Sequence, residues 1–245
     1  MSSRHLLLTL IGVAAAFAGG FLLANGLNRS EIESLHAEIA QLQSSVDRAP
    51  DAQKSELSNA EIQEKIKQAD ARPEDFQYQK NLGIALSKYA SMKQDEQLLV
   101  EAARIIDRAA KLKGDDRDLL VAQGNAHFDI GLAKKDNSEF ETARTAYEKA
   151  LNIKPNDPDV RTDLGLTYFL SDPPDMAKAE GDFKRSLAID PRHEKSLVFL
   201  VQALAKQQKQ DEARQYLAKL RSANPQNDAI SGLTAMVDSN ATAAQ

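Results

Sequence analysis

The sequence predicts an all-α fold built from repeated helical hairpins, and two observations carry that prediction. Gly at 11 and Pro at 8 in 245 residues are low, and aromatic residues at 5% with no Trp are sparse, a mixture that favours helices. More specifically, three segments superimpose on one another: "FETARTAYEKALNIKP" (140–155), "DMAKAEGDFKRSLAIDP" (175–191) and "QDEARQYLAKLRSANP" (210–225). They place Ala143, Ala179 and Ala213 in one slot and Tyr147, Phe183 and Leu217 in the next, with Pro155, Pro191 and Pro225 each 12 residues after its alanine. Upstream, "VEAARIIDRAAKLKG" adds Ala102, Ile106 and Gly114 at the same intervals. Self-similarity at a fixed spacing marks a repeat array, in which each unit buries its apolar face against the next.

In chain order, residues 1–27 come first as an N-terminal transmembrane anchor. Residues 6–24 form an uncharged apolar run of 19, which at about 1.5 Å per residue spans roughly the 30 Å hydrocarbon core. Gly12, Ala16, Gly20 and Ala24 recur every fourth residue, the small-residue spacing that lets two membrane helices approach closely. The alternative is a cleaved export signal ending at Ala16-Phe17-Ala18, which would leave a soluble exported adaptor. Arg4 precedes the span, while Arg29 behind it is followed by Glu31 and Glu33, so the positive-inside bias places the N-terminus in the cytoplasm. The body is then extracytoplasmic, and periplasmic in a bacterium.

Residues 28–47 follow as a short coiled-coil stalk. Ile32, Leu35, Ile39, Leu42 and Val46 step by 3, 4, 3 and 4, a heptad seam of the composition that favours parallel dimers. So short a seam is marginal alone, but tethering two copies in one bilayer raises their effective concentration. A homodimer through span and stalk is the expected assembly, with a single amphipathic helix as its alternative. Residues 48–58, "RAPDAQKSELS", read as a linker because Pro50 breaks the helix and polar residues follow.

The helical body is expected over residues 59–237. Ahead of each segment described above lies a second apolar helix, carrying Leu82-Gly83, Gln123-Gly124, Leu164-Gly165 and Leu200-Val201. This pairing resembles the tetratricopeptide repeat, a helix-turn-helix whose pattern has Leu-Gly and Tyr in helix A, then Ala, an aromatic and Pro in helix B. The third unit matches best, with Leu164, Gly165, Tyr168, Ala179, Phe183 and Pro191. The resemblance covers about residues 74–225 and implies an α-solenoid of four repeats, in which the Gly and Ala slots mark close crossings of A on B. Leu-Gly to Ala spans about 13 residues in that pattern, whereas here it spans 20, 20, 15 and 13. Seven extra residues make close to two helical turns. The first two repeats are therefore expected to be taller, with A–B turns near "SMKQDE" and "KKDNSE". Val201 in place of Gly predicts a looser crossing in the fourth. "NAEIQEKIKQAD" (59–70) and "NDAISGLTAMV" (227–237) read as capping helices, and residues 238–245 as a disordered tail.

Composition narrows the function. A net charge of -5 and the lack of any short stretch dominated by Lys and Arg argue against nucleic acid. Without cysteine the chain has no disulfide, thiol nucleophile or Cys-ligated metal. His5, His36, His127 and His193 stand in no metal or nucleophile context, and HExxH, GxSxG, Walker A and GxGxxG are missing. Asp157, Asp159, Asp172 and Asp175 gather at Pro-containing turns, where Asp serves as a helix cap. Neither catalysis, cofactor nor metal is expected.

What remains is a surface. In the family that this chain resembles, ligands lie in a concave groove lined by helix A. Carried over residue by residue, that groove is Lys80, Ile84, Val121, Asn125, Phe128, Thr162, Leu166, Phe169, Lys195, Val198 and Gln202. An apolar centre with polar flanks suits an extended or helical peptide. The resemblance thus implies a membrane-anchored, non-catalytic scaffold for a protein or peptide partner. A narrower resemblance is to the membrane-anchored repeat proteins of bacterial cytochrome c maturation, which present apocytochrome to the haem-ligating machinery. "IQEKIKQADARPED" (62–75) ahead of a Leu-Gly helix carries it, although those proteins usually have two spans and one is visible here.

Overall fold

The computed structural model describes residues 58–242. Ten α-helices and no strand make up these residues: α1 (Asn59–Asp70), α2 (Phe76–Lys93), α3 (Glu96–Leu112), α4 (Arg117–Lys134), α5 (Asn137–Ile153), α6 (Pro158–Phe169), α7 (Met176–Ile189), α8 (Glu194–Lys206), α9 (Gln210–Ala223) and α10 (Ala229–Thr242). The expected span at 6–24, the stalk at 28–47 and the linker up to residue 57 lie outside the described residues. Among those described, no helix is long and apolar enough to cross a membrane.

Helices α2/α3, α4/α5, α6/α7 and α8/α9 are the A/B hairpins of four repeats, and each B helix also packs on the next A helix. Their boundaries follow from local chemistry. Asp75, Asp95, Asp116, Asp136, Asp157 and Asp175 precede α2 to α7, and each side chain accepts a backbone N–H of the first turn. That bond satisfies one of the donors a helix start leaves open. At the other end, α5, α7 and α9 stop two residues before Pro155, Pro191 and Pro225, which cannot continue a helix. The extra residues of the first two repeats do lengthen both arms: α2 to α5 have 18, 17, 18 and 17 residues, against 12, 14, 13 and 14 in α6 to α9. Their turns fall between Lys93 and Glu96 and between Lys134 and Asn137.

The crossings sit on the glycines. A Cβ on Gly83 would lie 2.7 Å from Ile106 Cγ1, and one on Gly165 would lie 2.7 Å from Phe183 Cε1. On Gly124 it would enter the Tyr147 ring. In the fourth repeat Val201 and its register partner Leu217 are both buried, so the crossing expected to be loose is filled. The branched side chain on helix A takes up volume that the smaller Leu217 releases on helix B.

The core is segmented along the array rather than gathered at one centre. One cluster joins α1 to α4 around Ile66, Leu86, Ile105 and Ile106, a second joins α4 to α6 around Tyr147 and Leu164, and a third joins α6 to α10 around Phe183, Leu200 and Leu220. Helix α1 closes the first by burying Ile62, Ile66 and Ala69. Helix α10 closes the last with Leu233 and Val237. Helix α10 runs on to Thr242, past the boundary expected at residue 237. No Gly or Pro lies between Asp238 and Thr242, so nothing in that stretch ends the helix.

Candidate functional site

The A helices α2, α4, α6 and α8 succeed one another along one side of the array, laced by ion pairs that cross between repeats. Lys80 on α2 reaches Asp116 at the start of α4 at 2.6 Å, Arg117 on α4 pairs with Asp157 at the start of α6, and Lys195 on α8 pairs with Asp163 on α6 at 2.5 Å. Each carboxylate comes from a helix 32 to 40 residues away in sequence.

The eleven expected groove residues divide into two sets. Ile84, Val121, Phe128, Val198 and Gln202 are partly exposed, and Asn125 and Lys195 are exposed. Phe128 sits at the junction of the second and third core clusters, and its ring is 5.7 Å from that of Phe140. Lys80 is also partly exposed, but its charge is spent on Asp116. Thr162, Leu166 and Phe169 do not line the surface, being 0%, 4% and 6% exposed. The cause lies on later helices: Thr162 Oγ1 is 3.0 Å from Ser186 Oγ of α7 and 2.5 Å from Ser196 Oγ of α8, a buried hydroxyl cluster on this face of α6. Phe169 packs edge-on against Phe183 and Phe199.

Asp163, the next residue, also reaches α8 through Lys195, and it joins a polar cluster that the pattern did not contain. Asp163 on α6 pairs with Lys195 on α8, the field of Lys195 also reaches Asp129 on α4, and both carboxyls act on the Tyr147 phenol. Burial pushes both carboxyls above the ordinary Asp range, with Lys195 working against it. Asp129 accepts from the Ser91 hydroxyl at 2.5 Å. Burial likewise raises the Tyr147 phenol, which therefore stays protonated and donates to Asn125 Oδ1 at 2.9 Å. Lys195 is the one ammonium paired here, with Asp163, while Asp129 has a hydroxyl partner, so the two partly desolvated carboxyls keep acceptor capacity to spare. Asp129 also borders a cleft of about 370 Å³ whose lining includes Leu99 and Leu132. Asp129 and Asp163 each follow an assigned groove residue by one position, and the signal that could have found them was the need of Lys195 for a partner.

The two histidines among the described residues serve the scaffold. His127 is buried between α3 and α5, with Nε2 3.0 Å from Asp107 Oδ1 and Nδ1 2.5 Å from Glu139 Oε2. Burial pulls the imidazolium down, but the two carboxylates outweigh it and hold the pKa above the ordinary value. Gln123 donates to the same Asp107 oxygen, and Lys111 adds its field. A raised folded pKa stabilises below the unfolded value of about 6.5 and ceases to do so as pH climbs through the folded value. His127→Gln should therefore cost about 1.5–3 kcal/mol near pH 6, the worth of charge-assisted hydrogen bonds, and progressively less towards pH 9. Thermal melts of both proteins across that range read the difference.

His193 begins α8. Its Nδ1 is 2.7 Å from Ser196 Oγ and its Nε2 is 2.9 Å from Asp159 Oδ1, the connectivity of a Ser-His-Asp relay. Ser196 is 0% exposed, however, and its hydroxyl is enclosed by Thr162 and Ser186. A nucleophile must reach a carbonyl from a substrate cleft with an oxyanion site about 3 Å away, and Ser196 faces the inside of a helix packing instead. Asp157 and Asp175 are helix caps, as their turns predicted.

Comparison with known proteins falls on the same helices. Residues 131–171 match the model of a TPR repeat, and residues 174–237 match that of a tetratricopeptide repeat. No curated protein matches the chain. Among solved structures, the crystal structure of a MamA protein is 20% identical, covering 67% of this chain and 81% of that one with a TM-score of 0.54. MamA from residue 41 to its end, of Desulfovibrio magneticus RS-1, is 17% identical and covers 80% and 96%, with a TM-score of 0.56. A thermophilic TPR protein of Thermus thermophilus is 16% identical and covers 75% and 90%, with a TM-score of 0.51. At these identities the likeness shows the fold.

Proposed function

We propose that this tetratricopeptide-repeat solenoid is a membrane-tethered scaffold that holds a partner polypeptide along its A-helix face and catalyses nothing. The observation that carries the reading is the row of partly buried apolar side chains, Ile84, Val121, Phe128 and Val198, set beside the Asp129, Asp163 and Lys195 cluster. Apolar anchors with a few fixed polar groups are how a groove takes an extended or helical segment: the anchors give affinity and the polar groups give register. The carboxylates outnumber the ammonium, so the best-matched segment carries apolar anchors and a Lys or Arg. A cation delivered to Asp129 and Asp163 would offset the cost of their burial. Neither matching family model is that of an enzyme.

In this reading residues 6–24 anchor the chain with its N-terminus in the cytoplasm, and residues 28–47 pair two copies above the bilayer. The repeats then meet partners on the far side of the membrane, where confinement near the surface raises effective concentration. The experiment is capture in intact membranes. A photoreactive phenylalanine analogue at Val198 of the full chain should yield a discrete adduct in the membrane fraction. The chain lacking residues 1–47 should leave that fraction and lose the adduct. A truncated chain that stays membrane-bound and dimeric refutes the tether and stalk, and a full chain that yields no adduct refutes the groove.

A further inference from the structure

The B helices of the third and fourth repeats, α7 and α9, stand apart over the start of α8 and leave a cleft of about 640 Å³. Its floor is apolar: Leu187, Leu197 and Tyr216 line it, with Leu187 at 9% and Leu197 at 0% exposure. Its rim is basic, from Lys184, Arg192 and Lys219, and no carboxylate lines it. Lys184 is already matched by Glu180 at 2.7 Å and Glu212 at 3.1 Å. The other two cations are exposed and held in place without a carboxylate within salt-bridge distance among the described residues. Lys219 lies over the Tyr216 ring at 4.5 Å, and Arg192 donates to the Ala223 carbonyl at 3.1 Å.

The neighbouring cleft between α5 and α7 supplies the contrast. It is about 490 Å³ and also contains cations, but Asp182 pairs there with Arg185 at 3.0 Å and Arg161 at 3.5 Å, and Glu148 joins the rim. Two clefts at equivalent places in the array therefore differ in charge balance: Arg161, Lys178 and Arg185 face Glu148 and Asp182 in the first, whereas Lys184, Arg192 and Lys219 line the α7–α9 cleft with no carboxylate among them.

We propose that the α7–α9 cleft is a second docking site, separate from the A-helix face, that takes an acidic peptide segment of a partner protein by seating an aliphatic side chain between carboxylates. The partly exposed Tyr216 ring beside the buried Leu187 and Leu197 gives the cleft an apolar side, and a small inorganic anion has no side chain to place against it. Arg192 and Lys219, which make no salt bridge among the described residues although Glu194 lies in the field of Arg192, set where the flanking carboxylates lie. Rim charges of this kind act on association and specificity, and their effect weakens with salt.

The test is fluorescence anisotropy with the full-length chain in detergent micelles and a fluorescein-labelled peptide, Gly-Ser-Glu-Asp-Leu-Glu-Asp-Ser-Gly. Saturable binding that weakens with salt is expected, falling roughly 10-fold when Gln and Asn replace the acids. The double variant Arg192→Glu/Lys219→Glu should lose as much, with an unchanged circular dichroism spectrum because both side chains are exposed. Lys149→Glu, a charge reversal on exposed surface of α5, should bind as the parent does. Equal binding of the acidic and neutral peptides by the unmodified chain overturns the proposal without reference to any variant. So does tighter binding of a single-stranded DNA 12-mer than of the peptide, or undiminished binding by the double variant.

Discussion

Phe183→Ala is expected to cost about 3–5 kcal/mol, the usual range for emptying a buried aromatic site. Phe183 is 0% exposed, lies 6.3 Å from Phe169 and 6.1 Å from Phe199 between ring centroids, and fills the space over Gly165. The site cannot collapse easily, because α6, α7 and α8 are each held by their own caps and ion pairs. A whole domain is stable by only about 5–15 kcal/mol, so the loss is a large share of the total. In a repeat array stability is close to a sum of nearest-neighbour terms. The cavity should therefore weaken the third cluster most and split a single denaturant transition into two. Urea titration followed by far-ultraviolet circular dichroism reads both effects. A cost below about 1 kcal/mol would mean that the ring is not the keystone its packing makes it.

Gly124→Val carries the second large effect. Its Cβ would enter the Tyr147 ring, which is 1% exposed and tied to Asn125 through its hydroxyl, so the two helices must part. Overpacking of this kind costs about 1–3 kcal/mol, and the β-branch adds to it in a helix interior. The fourth repeat shows the compensation, since Val201 there stands opposite Leu217. Adding Tyr147→Leu to Gly124→Val should thus recover part of the loss, giving a coupling of about 1–2 kcal/mol in a double-mutant cycle. Additive costs would show that the glycine slot is not set by the ring across from it.

These slots also mark what the sequence made legible. The Ala slot, the large apolar residue four positions on and the Pro or Gly that follows locate every B helix, and the count from Leu-Gly to Ala marks the two tall repeats. A seven-residue insertion shared between two helices keeps the buried stripe in phase, which is why the count sufficed. The surface was harder to read. Thr162, Leu166 and Phe169 occupy positions that the repeat pattern turns outward, yet Ser186, Ser196 and Phe199 from later helices draw them in. Lys80 and Lys195 stand out in the sequence as loose cations, but each meets a carboxylate from an adjacent repeat. Such pairings depend on how one A helix sits on the next, and no pattern within a repeat encodes that. The end of α10 has no such marker, since a run without Gly or Pro carries no local stop signal.

The central claim is that the A-helix face holds the partner. Scanning the photoreactive analogue through Val121, Phe128 and Val198, and through the exposed B-helix positions Glu141 and Lys149 as controls, tests it most directly in intact membranes. One polypeptide is expected from all three A-helix positions and none from the two controls. Capture from the controls alone, or equally from all five, would contradict it.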